Sequence, residues 1–131
     1  REERKPTVSS FIQDEMELAR RYFTEHYNED INIEEYAKSR GMSFSWFSRN
    51  FKQLTAKSPM QYVVSVRINN AASLLGCSSY NINEVSNIVG YDNPLYFSRI
   101  FKKVKGVSPS EYKKSLLGQT ETTEDSLSEL E

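Results

Sequence analysis

The sequence predicts an all-α protein: two copies of one small helical unit, joined by a longer helix, with about seven helices in all. Three observations predict it. Wherever apolar residues recur regularly their period is near 3.6, and no stretch alternates as a half-buried strand would. The hexapeptide FSRNFK at 47–52 returns as FSRIFK at 97–102. Capping residues then punctuate the chain at short intervals, with Ser or Asn opening each apolar-periodic run and Gly closing several.

The repeat extends well beyond six letters. NIEEYAKSRGMSFSWFSRNFKQLTAKSPMQY lies against NINEVSNIVGYDNPLYFSRIFKKVKGVSPSEY. Ile33 matches Ile82 and Gly41 matches Gly90, at an offset of 49. Phe47 then matches Phe97, Phe51 matches Phe101, Ser58-Pro59 matches Ser108-Pro109 and Tyr62 matches Tyr112, at an offset of 50. One residue is therefore inserted between Gly90 and Phe97. Two copies are too few for a solenoid, so a duplicated pair of small units is the better reading.

The elements follow in order. From Ser9 or Ser10 to about Tyr27, Ile12, Met16, Ala19, Phe23 and Tyr27 make one apolar stripe. Asn32 can cap a short helix from Ile33 to Arg40, ended by Gly41. Ser43 can cap the next, from Phe44 to about Thr55. Ser58 caps a longer helix with Pro59 at its first position, where a missing N–H costs nothing; it runs to Gly76. Asn81 or Asn83 opens a short helix ended by Gly90. Asn93-Pro94 starts one that continues to Lys105 and Gly106, and Ser108-Pro109 starts a last one to about Leu117. The expected organisation is an N-terminal linker at 1–8, a helical body at 9–117 and a disordered acidic tail at 118–131. Within the body, the first unit covers about 9–58, the linker helix about 59–76 and the second unit about 81–117.

Composition bounds the function. The 131 residues include 37% hydrophobic and 12% aromatic side chains, enough for a core. No apolar run approaches the ~18 residues of a membrane span, and no leader is visible, so a cytoplasmic setting is the expectation. The chain opens REERKP without Met, which suggests a processed or excised piece of something longer. One Cys (Cys77) and one His (His26) exclude an internal disulfide and any familiar zinc set or Cys-His pair. No Gly-rich phosphate loop, paired catalytic carboxylates or nucleophile with a base is present, so neither an enzyme nor a bound cofactor is expected.

The net charge of -1 conceals three blocks. Residues 1–30 carry five basic and eight acidic groups, 31–114 carry twelve basic and five acidic, and 115–131 carry none basic and five acidic. The repeat therefore sits in a cationic body of net +7, which suits a polyanionic partner.

On a helix from Phe44, the residues Phe47, Phe51 and Leu54 form one stripe, and Ser45, Ser48, Arg49 and Lys52 form another. On the helix from Pro94, Phe97, Phe101 and Val104 repeat the first stripe. Leu95, Ser98, Arg99 and Lys102 repeat the second, extended by Lys103. Each helix has an aromatic side to anchor it and a cationic side with small residues. Each follows a short helix and a glycine turn, which is helix-turn-helix order. A DNA major groove, roughly 12 Å wide, admits such a helix, and Arg can pair with both acceptors of a guanine. Trp46 sits beside this face, either partly buried or against the DNA. The linker helix, about 26 Å long at ~1.5 Å per residue, could hold two such helices near adjacent grooves about 34 Å apart. Because the outer residues of the copies differ, the site read should be asymmetric. Arg67 in that linker is expected in an intramolecular contact rather than on phosphate. The rival class is a helical protein-interaction module that does not bind DNA specifically, its acidic ends holding the partner.

With these residues in view, the double helix-turn-helix, the linker VSVRINNAASLL and the ending GYDNPLYFSRIFKKVKGVSPSEYKKS resemble the C-terminal DNA-binding domain of AraC/XylS-type transcription regulators, over about residues 15–116. The stretch YFTEHYNEDINIEEYA is similar to members in which this domain ends a two-component response regulator. The resemblance implies base contacts at Ser45, Ser48 and Arg49, and at Asn93, Pro94, Leu95, Ser98 and Arg99. It also implies double-stranded promoter DNA and RNA polymerase as partners, with an N-terminal sensor or receiver domain outside this chain. Two departures stand out. Phe44 replaces the usual Pro at the start of the first reading helix. Ala56 replaces the usual Gly after it, at a cost of about 1 kcal/mol if a left-handed cap is needed, so the first turn is expected to be built differently. Pro94 and Leu95 hydrogen-bond poorly, so the second helix is expected to read thymine methyls or to seat on phosphate, with Arg99 its main base reader.

Overall fold

A computed structural model of the chain describes residues 7–117, which form seven helices and no strand. α1 spans Val8–Glu25, α2 Ile33–Ser39, α3 Phe44–Thr55, α4 Pro59–Leu75, α5 Ile82–Ile88 and α6 Pro94–Lys105. α7 follows over 109–117. Most of the expected N-terminal linker and all of the expected acidic tail lie outside the described residues. Two compact units, Arg1–Val66 and Arg67–Glu131, divide the chain, and their boundary falls inside α4.

The helix starts follow the caps. α1 begins one residue earlier than Ser9 because Thr7 supplies a full capping box. Its Oγ1 accepts the Ser10 N–H at 3.0 Å and its own N–H donates to Ser10 Oγ at 2.9 Å. Asn32, Ser43, Asn81 and Asn93 cap α2, α3, α5 and α6 through their side-chain oxygens. Two capping boxes repeat fifty residues apart. Ser58 N–H donates to Gln61 Oε1 at 2.9 Å while Gln61 N–H donates to Ser58 Oγ at 3.2 Å. Ser108 N–H donates to Glu111 Oε1 at 3.0 Å while Glu111 N–H donates to Ser108 Oγ at 3.2 Å.

In the first unit, Met16, Ala19 and Phe23 of α1 are buried with Ile33, Ala37, Phe47, Phe51 and Val63. Phe23 meets Phe51 edge-on at 5.7 Å between ring centres, and Phe51 meets Tyr62 in the same way at 5.7 Å. Burying each such ring stabilises by about 1.5–3 kcal/mol. The Tyr62 hydroxyl accepts from Arg20 at 3.2 Å and shares a hydrogen bond with Thr24 at 2.7 Å, so the polar tip of a core aromatic is satisfied. Arg40, just past α2, grips Glu15 of α1 through two nitrogens at 3.0 and 2.9 Å.

In the second unit the same parts recur. Phe97 and Phe101 are fully buried, and Phe101 meets Tyr112 edge-on at 5.4 Å, as Phe51 meets Tyr62. Ile68, Ala71 and Leu75 are buried at the i, i+3, i+7 spacing that Met16, Ala19 and Phe23 show on α1. The second half of the expected spacer helix is thus core of the second unit, a role its sequence position between the copies concealed. Arg67, on the same stretch, lies over the Tyr91 ring at 4.9 Å. The turns repeat too: Met42 N–H donates to Ala37 O at 2.8 Å and Tyr91 N–H to Ser86 O at 2.9 Å. Gly41 and Gly90 beside them hold φ of 76° and 103°, where a side chain would be strained.

Ala56 corrects one expectation. The first turn is not built differently: Ala56 adopts the left-handed region at φ 69°, and its N–H donates to Lys52 O, as that of Gly106 at φ 87° does to Lys102 O. The two helix ends thus close in the same way, each after its own pair of buried phenylalanines.

Two outcomes follow. Ala56→Gly should stabilise by about 1 kcal/mol and Gly106→Ala should destabilise by about as much, read from denaturant midpoints; a Cβ at Gly106 meets nothing within 4 Å, so its cost is conformational. Glu111 should make the second unit acid-sensitive. The Ser108 backbone N–H, and then its hydroxyl, hold the Glu111 carboxyl below its ordinary value. A depressed carboxylate contributes stability above its unfolded pKa and loses it as pH falls through the folded one. Wild-type stability should therefore fall toward that of Glu111→Gln as melts are run from pH 6 down through the carboxylate range.

Candidate nucleic-acid interface

α2 packs on α3 and α5 on α6, so each of α3 and α6 is the second helix of a helix-turn-helix pair. Phe47 and Phe51 roll α3 onto the core, and Phe97 and Phe101 do the same to α6. What remains outward is set by the 100° step of the helix. Ser45, Arg49 and Lys52 are exposed on α3; Leu95, Arg99 and Lys102 are exposed on α6. Lys103 is exposed on the flank of that stripe.

The remaining expected residues sit otherwise. Ser48 is on the shoulder of α3, one 100° step from Phe47. Its Oγ is buried without a hydrogen-bond partner, beside a hollow lined by Ile33, Phe44, Pro59 and Met60. Ser98 is likewise half-buried on α6. Trp46 is half-buried against the core of the first unit. Asn93 is exposed, but its Oδ1 is committed to capping, accepting from Leu95 N–H at 2.9 Å and Tyr96 N–H at 3.3 Å. Pro94 fills the first turn and has no N–H to offer. Gln53, missed in the sequence, is exposed at the α3 position that matches Lys103. The offset of 50 was the signal that could have found it.

The charges divide by role. The ion pairs of the first unit use Arg20 and Arg21 with Glu17, Arg40 with Glu15, and His26 with Glu29. Hydrogen bonding from Arg20 holds the Glu17 carboxyl below its ordinary value. Arg49, Lys52, Arg99 and Lys103 make no ion pair among the described residues, and neither α3 nor α6 contains an acidic residue. Lys105 and Lys113, by contrast, are spent internally: Lys105 Nζ donates to Asn69 Oδ1 at 2.9 Å and Lys113 Nζ to Tyr80 O at 2.7 Å. Two anchored helices thus present Arg49, Lys52, Arg99 and Lys103 outside any ion pair, while Lys102 lies within electrostatic reach of Glu111, an arrangement able to bind a polyanion. Among the described residues no group of acids, His and Cys could hold a metal ion, and no helix is long and apolar enough to cross a membrane.

Comparison with known proteins identifies the family. Residues 36–115 match the helix-turn-helix domain family. The C-terminal domain of AraT, a response regulator from Geobacillus stearothermophilus, is 35% identical with a TM-score of 0.72, covering 76% of this chain and 84% of that one. The DNA-binding domain of AdpA, a global transcriptional factor solved with a target DNA, is 28% identical with a TM-score of 0.74, covering 79% and 94%. The MmsAB operon regulatory protein of Pseudomonas aeruginosa is 36% identical over 92 residues, 70% of this chain and 30% of the relative. The chain spans about a third of the length of the curated relatives it matches. With the matched region covering most of the described residues and both helix pairs, the chain belongs to the AraC/XylS-type helix-turn-helix family of transcription regulators.

Proposed function

We propose that this chain is the DNA-binding part of a bacterial transcription regulator and binds double-stranded promoter DNA sequence-specifically, through α3 and α6. One observation carries the reading: twice over, a helix sealed on one side by two phenylalanines carries Arg and Lys with no ion pair on the other. Arg49 and Arg99 lie near the middle of each exposed stripe and are the base readers, each matched to a guanine. Lys52, Lys102 and Lys103 neutralise phosphates. The two helices read adjacent major grooves of one asymmetric site, since their outer residues are not the same. The solved complex of AdpA with its target DNA supports this use of the fold.

The relatives are about three times as long as the region matched, and AraT is a response regulator. These support a further domain, sensor or receiver, acting with this one in the cytoplasm, and RNA polymerase as the target of the bound regulator. The activity so described is binding, not catalysis.

Fluorescence anisotropy with duplexes selected from a random pool tests the division of roles. Arg99→Ala should cost about 1–3 kcal/mol and relax preference at one base position. Lys103→Ala should weaken all duplexes alike and flatten the salt dependence by about one counterion. Both variants should melt within about 0.5 kcal/mol of the parent, because the residues are exposed and outside any ion pair. Equal loss on every duplex from both would sink the assignment, and no salt-dependent binding would favour a protein-interaction module.

A further inference from the structure

We propose that the acidic segment 118–131 docks on the outward face of α6 of its own chain and competes there with DNA phosphates; the inference rests on that face being part of the DNA interface. Charge decides where such a segment can go. The ion pairs described above all belong to the first unit. There, residues 7–66 carry eight acidic side chains against seven of Arg and Lys, close to balance. Residues 67–117, in the second unit, carry only three, Glu84, Asp92 and Glu111, against seven. Two of those three serve as caps: Glu84 Oε1 accepts the Asn81 N–H at 2.8 Å, and Glu111 Oε1 accepts the Ser108 N–H at 3.0 Å. The cationic excess is concentrated on α6, which has Arg99, Lys102 and Lys103 exposed and no acid of its own. The segment 118–131 then brings Glu121, Glu124, Asp125, Glu129 and Glu131, and no cation.

Position makes α6 the target. The segment follows α7, and α7 packs on α6, where Tyr112 meets Phe101 edge-on at 5.4 Å. Glu111, exposed on α7, lies within electrostatic reach of Lys102. So α7 already brings one carboxylate to the cationic stripe. From Glu111 to residue 117 is roughly 9 Å of helix, at about 1.5 Å per residue. The segment beyond can span up to about 48 Å when extended, against roughly 18 Å for the whole of α6, so reach sets no limit. Other cations of the unit are less available. Lys105 Nζ donates to Asn69 Oδ1 at 2.9 Å, Lys113 Nζ donates to Tyr80 O at 2.7 Å, and Arg67 lies over the Tyr91 ring. A carboxylate accepts from guanidinium and ammonium donors as a phosphate does, so the two anions compete for the same groups. A tether raises the local concentration of the segment, so pairs too weak to form between molecules count within one. DNA binding then exchanges one set of anions for another and releases fewer counterions.

The test compares the full chain with a full-length variant carrying Glu121→Gln, Glu124→Gln, Asp125→Asn, Glu129→Gln and Glu131→Gln. Thermal melts equal to the parent's establish that the fold is intact. Without DNA, the backbone amide resonances of Arg99, Lys102 and Lys103 should differ between the two proteins, and those of Arg49 and Lys52 should not. In anisotropy titrations at about 30 mM salt the variant should bind every duplex about eight-fold tighter, the product of three exposed pairs worth roughly two-fold each. That gain should shrink toward none by about 300 mM, so the variant's affinity falls more steeply with salt than the parent's. Unmoved α6 resonances overturn the inference even where the variant binds tighter, since repulsion of DNA by an undocked segment gives that gain alone. Shifts on α6 that fade on dilution overturn it in favour of a second copy's segment. Shifts on α6 with no gain in affinity overturn the competition. Failure of both proteins to bind any duplex overturns the competition together with the DNA-binding reading, and the resonances then judge the docking by itself.

Discussion

Everything on the outer surfaces of α3 and α6 depends on a pair of phenylalanines one turn apart. Phe47 with Phe51, and Phe97 with Phe101, are wholly buried. Two large rings at i and i+4 fix the roll of a twelve-residue helix, since turning it by one residue position would pull at least one ring into water at a cost of about 1.5–3 kcal/mol. Once the roll is fixed, the outward identity of every other residue follows from the 100° step. The rings meet partners of their own kind: Phe51 lies against Phe23 and Tyr62, and Phe101 against Tyr112. The cores hold the helices; the outer faces are left free to differ.

They do differ, and the pattern of difference separates scaffold from reader. Between the copies the buried rings, the turn hydrogen bonds, the left-handed closures and the Ser-Pro capping starts are retained. The buried exchange of Ala37 for Ser86 is accommodated locally, because the Ser86 hydroxyl donates to Tyr91 O at 3.1 Å and is itself satisfied. Outside, Ser45 stands against Leu95 and Gln53 against Lys103, while Arg49 keeps Arg99 and Lys52 keeps Lys102. A face on which charge is held and neighbouring chemistry changes suits two helices that meet the same polyanionic backbone and different bases.

Periodicity and capping made the helices legible almost to the residue, because Ser, Asn and Pro act locally and their effects do not wait for tertiary structure. Three features were not legible for the opposite reason. Ser48 falls in the polar stripe by spacing, but Ile33 of α2 and Pro59 and Met60 of α4 border the same hollow, and no local pattern announces them. The second half of α4 reads as a spacer until the unit boundary inside it shows Ile68, Ala71 and Leu75 as core. Ala56 contradicts its own propensity: tertiary closure imposed φ 69° on a residue that avoids it. Gln53 was overlooked although the repeat offset pointed to it, so there the signal existed and the charge pattern drew attention away.

The net charge of -1 is then a poor guide to the interface, and the structure shows why. Carboxylates of α1 are consumed within the first unit: Glu17 pairs with Arg20 and Arg21, and Glu15 with Arg40. An exposed pair such as Glu17–Arg21 contributes little stability, whereas Arg40 holds the mostly covered Glu15 through two nitrogens. These acids pair with cations of α1 and of the turn after α2, and α3 and α6 carry no acid of their own. An acid on those helices would both pair with Arg49 or Arg99 and repel a phosphate, a double loss for any anionic partner. The two cationic helices belong to one chain and carry unlike neighbours. A single chain can present one arginine with a serine beside it and another with a leucine, and that inequality gives an asymmetric site its direction.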